Sequence, residues 1–153
     1  MKHLRLFENF DTESDFQEKV QHVNYFLQDI SDDDIALSVQ MTEERVLILV
    51  GNEDSEFITP IPLHKYKTNF IQLNDYLTDI AGYQFKNVAC WINPENDVNT
   101  YRFPITIDEF GQFISKIEEI ELENENSDSR QVFLVIDMMY QKIVPSYRSL
   151  FGF

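Results

Sequence analysis

Hydrophobic positions along the chain follow two different periods. Phe16, Val20, Val23, Leu27 and Ile30 are spaced by 4, 3, 4 and 3 residues, which predicts an amphipathic helix with Glu18, Lys19, Gln21, His22 and Gln28 on its polar face. Asp11, Thr12 and Ser14 offer side-chain oxygens to cap it, and Asp32-Asp33-Asp34 ends it, because adjacent carboxylates oppose the negative end of a helix dipole. The period then drops to two. Ile35, Leu37, Val39 and Met41 alternate with Ala36, Ser38, Gln40 and Thr42, as in a strand with one buried face. Val46-Leu47-Ile48-Leu49-Val50 is apolar throughout and predicts a strand covered on both faces. Phe57 to Ile61 reads as a third strand that Pro60 pushes to an edge.

A second helix is predicted with Thr68 or Asn69 at its cap, Phe70, Leu73, Leu77 and Ile80 as its buried stripe, and Gly82 as its stop. Phe85 to Ile92 and Val98 to Phe103 form a hairpin pattern around the turn Asn93-Pro94-Glu95-Asn96-Asp97. Thr106 and Glu109 have the spacing of a capping box, opening a third helix marked by Phe110, Ile114 and Ile117. Residues 121–130 hold one apolar side chain in ten and predict a mobile acidic loop before the buried strand Val132 to Ile136. Beyond Asp137 the pattern is less regular, and Pro145 interrupts any helix begun at Met138. The order α-β-β-β-α-β-β-α-β predicts an α+β fold, a mostly antiparallel sheet of about five to six strands with three helices on one face. The expected organisation is one domain over residues 1–137 and a C-terminal arm over 138–153.

Charge adds a direction to this picture. The 153 residues carry a formal net charge of −15, which disfavours direct binding to nucleic acid. The excess is uneven: −10 over residues 1–59, zero over 60–105, −6 over 106–130 and +1 over 131–153. No apolar run approaches membrane-spanning length, and Met1 to Glu8 reaches an acid before any apolar stretch, so neither a membrane nor a secretory signal is expected.

Catalytic patterns are not found. Cys90, the single cysteine, sits in Val88-Ala89-Cys90-Trp91-Ile92 and reads as a small buried hydrophobe. His3, His22 and His64 lack ligand spacing, and Asp32-Asp33-Asp34 lacks the alternate positions of a calcium loop. With 4 glycines, phosphate-cradling loops have no place to form. No catalytic, cofactor-binding or metal-binding residue is therefore expected, and the candidate residues are those suited to a protein partner. Tyr147, Arg148, Leu150, Phe151 and Phe153 belong to a weakly basic aromatic arm, suited to docking on a neighbouring subunit or to folding back on its own core. Glu118, Glu119, Glu121 and Glu123 form an acidic block that would steer a basic partner.

The first ten residues, Met1-Lys2-His3-Leu4-Arg5-Leu6-Phe7-Glu8-Asn9-Phe10, resemble short leaders of proteins from large T4-related tailed bacteriophages. Leu6-Phe7-Glu8 is similar to the Leu/Ile-x-Glu motif after which a prohead protease cuts in some of those phages. The resemblance implies a phage protein of the host cytoplasm or the virion. The leading expectation is a non-enzymatic virion or assembly component that acts through protein contacts, with a homo-oligomer among the outcomes. The alternative is a small acidic inhibitor, or DNA mimic, that covers a basic surface of a host defence or nucleic-acid enzyme.

Overall fold

The computed structural model describes residues 2–51, 59–100 and 102–143, with side chains from Asp15 onward within them. Five strands, β1 (Leu37–Met41), β2 (Arg45–Val50), β3 (Tyr83–Pro94), β4 (Ile105–Ile107) and β5 (Gln131–Lys142), pair in one antiparallel sheet. Their spatial order is β1-β2-β5-β3-β4, so the last strand in sequence occupies the centre. Three helices, α1 (Lys2–Asp32), α2 (Lys67–Tyr76) and α3 (Phe110–Asn126), complete an α+β domain.

Alternation along the strands builds one core. Val46, Ile48 and Val50 of β2, Val88 and Cys90 of β3, and Ile136, Met138 and Tyr140 of β5 are fully buried. They meet Val23, Leu27 and Ile30 of α1, Phe70 and Leu73 of α2, and Phe113 and Ile117 of α3. Phe70 meets Phe113 edge-on at 5.8 Å, and Phe85 meets Tyr140 edge-on at 5.4 Å, the arrangement favoured by ring quadrupoles. Tyr140 reaches across the layer to donate its hydroxyl proton to Asn74 Oδ1 at 2.8 Å.

The first helix is longer than its apolar stripe indicates, because the leader-like segment from Lys2 is already helical instead of waiting for a cap near Asp11. It ends by a backbone device more than by charge. Asp34 takes the left-handed region at φ 62°, Ile35 N–H bonds Ile30 O at 3.3 Å and Asp34 N–H bonds Ser31 O at 3.1 Å, the paired bonds of a Schellman motif. Asp33 then accepts hydrogen bonds from Lys65 Nζ at 2.8 Å and from the Tyr66 hydroxyl, fastening α1 to the 3-10 turn Leu63–Tyr66 that leads into α2.

Other boundaries also differ from the sequence pattern. A π turn over Leu77–Ala81 ends the second helix, and its wider winding rotates Ile80 out to 72 % exposure while Tyr76, Leu77 and Ala81 are buried. Thr106 lies in β4, and Glu109 caps α3 with extended backbone and no side-chain bond, so the capping box does not form. The partner of β3 in the second hairpin is Ile105–Ile107 instead of Val98 to Phe103, because Asn93 Nδ2 donates to Asp97 O at 3.0 Å and Thr100 O at 2.8 Å and holds residues 97–100 in a wide turn. The acidic stretch from Glu121 to Asn126 is helical and not a loop, leaving only 127–130 without helix or strand. The strand that follows runs on through Met138 to Lys142, so residues 138–142 belong to the sheet and not to an arm. Of the expected third strand, Ile61 makes an isolated bridge to Phe133, and residues 57 and 58 lie outside the described residues.

Candidate interaction face

The strands that bury one face under helices present a second face with a different composition. Cross-strand register places Gln40, Leu47, Met139 and Asn87 in one row, and Ser38, Leu49, Asp137, Ala89 and Thr106 in the next. A bulge in β3 between Phe85 and Asn87 keeps Met139 and Asn87 together on this face. Trp91 pairs with Val135 one row further on. Every helix residue of the core cluster is packed with the other face, and Leu47, Leu49, Ala89, Trp91 and Met139 are half-buried here. At the Gly51 end Leu134 and Val135 are buried, and Gly51, at φ +100°, brings its backbone so close that a Cβ would lie 2.4 Å from Leu134 O.

Asp137 stands at the centre of this face, on the central strand, with Leu49 and Ala89 directly opposite it. Among the described residues no cation forms an ion pair with it and no donor bonds its carboxylate. The neighbouring protein thins the water around the carboxyl and pushes its pKa above the usual carboxylate value. It is the one acid in residues 131–153, and it lies where an incoming cation would find it uncompensated.

The acidic candidates are distributed differently. Glu118 pairs with Lys67 at 3.3 Å and Glu119 with Lys116 at 3.4 Å, both near the surface, whereas Glu123 is exposed. Glu121 is half-buried and lines a cleft of about 320 Å³ with Leu63, His64, Ile117, Asn124 and Phe133. At the same cleft Arg130 is paired with Glu95 at 3.1 Å. Helical winding of 100° per residue spreads the four glutamates around α3, so they do not share one stripe. The arm candidates Tyr147, Arg148, Leu150, Phe151 and Phe153 lie outside the described residues.

Cys90 is fully buried, and burial pushes its thiol up to about 12, which keeps it protonated at neutral pH. His22 stacks on Tyr76 at 4.9 Å between ring centroids. Among the described residues no group of three His, Cys, Asp or Glu side chains could hold a metal ion, and no helix is long and apolar enough to cross a membrane.

The sequence pattern singled out Glu118, Glu119, Glu121 and Glu123 but placed the last two in a loop, and it missed the sheet face, since Met138 to Lys142 did not register as strand. The available signal was alternation: Met138 and Tyr140 inward, Met139 and Gln141 outward. Compared with known families, curated proteins and solved structures, the chain matches none.

Proposed function

We propose that this is a non-enzymatic, phage-type protein that works through protein contacts as a virion or assembly component. The observation that carries the reading is the sheet face away from the described helices, where Leu47, Leu49, Ala89, Trp91 and Met139 surround Asp137, which has no ion-pair partner among the described residues. Half-buried apolar side chains around one carboxylate suit a partner that brings both apolar area and a cation. The leader-like Leu6-Phe7-Glu8 supports the phage assignment, and the weakly basic aromatic segment after Val144 supplies the complementary composition. Light scattering on a sizing column tests it. The full chain is expected to self-associate, and a chain truncated after Val144 to run as a single copy. Identical behaviour of the two chains would overturn the assembly reading.

The charge of α3 favours a second reading, a small acidic inhibitor that covers a basic surface. Reversing Glu118, Glu119, Glu121 and Glu123 together should then abolish binding to a basic nucleic-acid enzyme. Unchanged binding would sink it.

A further inference from the structure

We propose that the outer edge of β1 is a docking site for an extended segment of another protein, apolar at alternate positions and basic at both ends, which adds to the sheet as a further strand. It goes beyond both readings above, since it uses neither the face around Asp137 nor the glutamates of α3.

Backbone hydrogen bonds define the edge. Gly51 N–H bonds Ala36 O at 2.8 Å and Thr42 N–H bonds Arg45 O at 2.9 Å, at the two ends of the β1–β2 ladder. Bonded pairs in an antiparallel ladder recur at every second residue, so β1 bonds β2 through Ser38 and Gln40, and the N–H and C=O groups of Leu37, Val39 and Met41 point away from β2. Among the described residues nothing bonds those outward groups. Residues 35–42 hold no charge, proline or bulge, the devices that keep a bare edge from pairing. The sheet's other edge has such devices, since β4 is three residues long, follows Pro104 and precedes Asp108. Leu37, Val39 and Met41 are half-buried against the core, so an added strand sets its own apolar residues beside them at the same two-residue spacing.

Charge selects the occupant. Asp32, Asp33 and Asp34 stand before the strand, all exposed, and only Asp33 is in an ion pair among the described residues, with Lys65. Glu43, Glu44 and Arg45 stand after it, exposed and without an ion pair among the described residues. The formal charge is −3 at the first end and −1 at the second, with none between. The β1 of a second copy therefore sets like charge against like in either direction. Segment 52–58 carries Glu53, Asp54 and Glu56 and no base, and segment 144–153 carries the single cation Arg148, so neither supplies cations at both ends. Lys2 and Arg5 belong to α1 and do not form a strand. A partner strand with lysine or arginine at each end satisfies the outward backbone groups and both acidic ends at once.

A synthetic peptide tests the edge: about ten residues, with alternating valine and threonine between lysines at both ends. Fluorescence anisotropy is expected to show saturable binding to the full chain, weakened about tenfold or more when glutamates replace the lysines or when the peptide's amides are N-methylated. Hydrogen exchange followed by NMR should show the amides of Leu37, Val39 and Met41 slowed by the peptide, whereas those of Ser38 and Gln40 are slow without it. Val39→Pro removes an outward N–H and no bond to β2, and is expected to abolish binding. Should that chain fail to fold, the combined Asp32→Lys, Asp34→Lys, Glu43→Lys and Glu44→Lys chain supplies the same reading. Absence of saturable binding by the lysine peptide overturns the proposal. Equal binding of the N-methylated peptide also overturns it, since charge attraction alone would then account for the complex. So do amides of Leu37, Val39 and Met41 that are already slow in the free chain: slowing that grows with protein concentration names a second copy, and slowing that does not names the chain itself.

Discussion

The two faces of the sheet are made by the same strands, alternate residue by alternate residue, yet they answer to different demands. On the helix side, Val46, Ile48, Val88, Ile136 and Met138 are fully buried against three helices, and their polar exceptions are satisfied, as when Tyr140 bonds Asn74. On the other side, Leu47, Leu49, Met139 and Trp91 remain half-buried, and the one acid of the central strand is left without a counter-ion among the described residues. An apolar face explained by folding is packed and closed, whereas an apolar face with an uncompensated charge is better explained by something that arrives later.

The comparison predicts a graded series of effects. Phe113→Ala on the helix side should cost about 3–5 kcal/mol of stability, since a fully buried ring leaves a cavity between α2, α3 and the sheet. Urea denaturation measures it, and a loss below about 1 kcal/mol would mean that this face is not the principal core. Tyr140→Phe removes only the hydroxyl and should cost about 1–2 kcal/mol by leaving Asn74 Oδ1 short of a donor. Leu49→Ala on the opposite face should cost about 1 kcal/mol or less, while weakening self-association, so the two readouts separate. The same loss in stability as Phe113→Ala would erase the distinction between the faces.

The smallest effects come from two carboxylates whose shifts have opposite sign. Hydrogen bonds from Lys65 and Tyr66 hold Asp33 below the usual carboxylate value, so its contribution is present above the unfolded pKa and is lost as pH falls through the lower folded value. Desolvation holds Asp137 above it, so in the isolated chain its contribution is present below the unfolded pKa and is lost as pH rises through the folded value. Asp33→Asn should therefore flatten the acid limb of a stability-versus-pH curve, and Asp137→Asn should raise the single chain's stability at neutral pH. Matching slopes for the two variants would contradict the assignment.

Much of this architecture was legible in the sequence because the hydrophobic effect writes it as a period. The stripes Val23, Leu27, Ile30 and Phe70, Leu73, Leu77 and the all-apolar run Val46 to Val50 led to the α+β class and to helices on one face. That run predicted a strand covered on both faces, and the described helices cover one. Boundaries were less legible because contacts distant in sequence set them. The π turn that exposes Ile80, the turn built around Asn93, and the continuation of α3 through its glutamates are decided by partners that no local window contains. Asp137 obscured the strand for a physical reason: an acid after Val132 to Ile136 reads as the end of a buried strand, whereas a strand whose outward residue at that point is exposed carries it onward.

Asn124, near the C-terminal end of α3, clasps the start of β5. Its amide accepts the Gln131 N–H at 2.8 Å and donates to the Gln131 carbonyl at 2.8 Å, imitating the peptide of a neighbouring strand at the doorway of β5. That clasp anchors the entry of β5, and an extra residue at Leu134, between the pairs Trp91–Val135 and Ile92–Phe133, resets the alternation before Asp137. A slip of one residue beyond that irregularity would turn Asp137 into the hydrocarbon interior and expel Ile136 and Met138 to the surface, so the single inserted residue is the frame-keeper that decides which side of the molecule wears its charge.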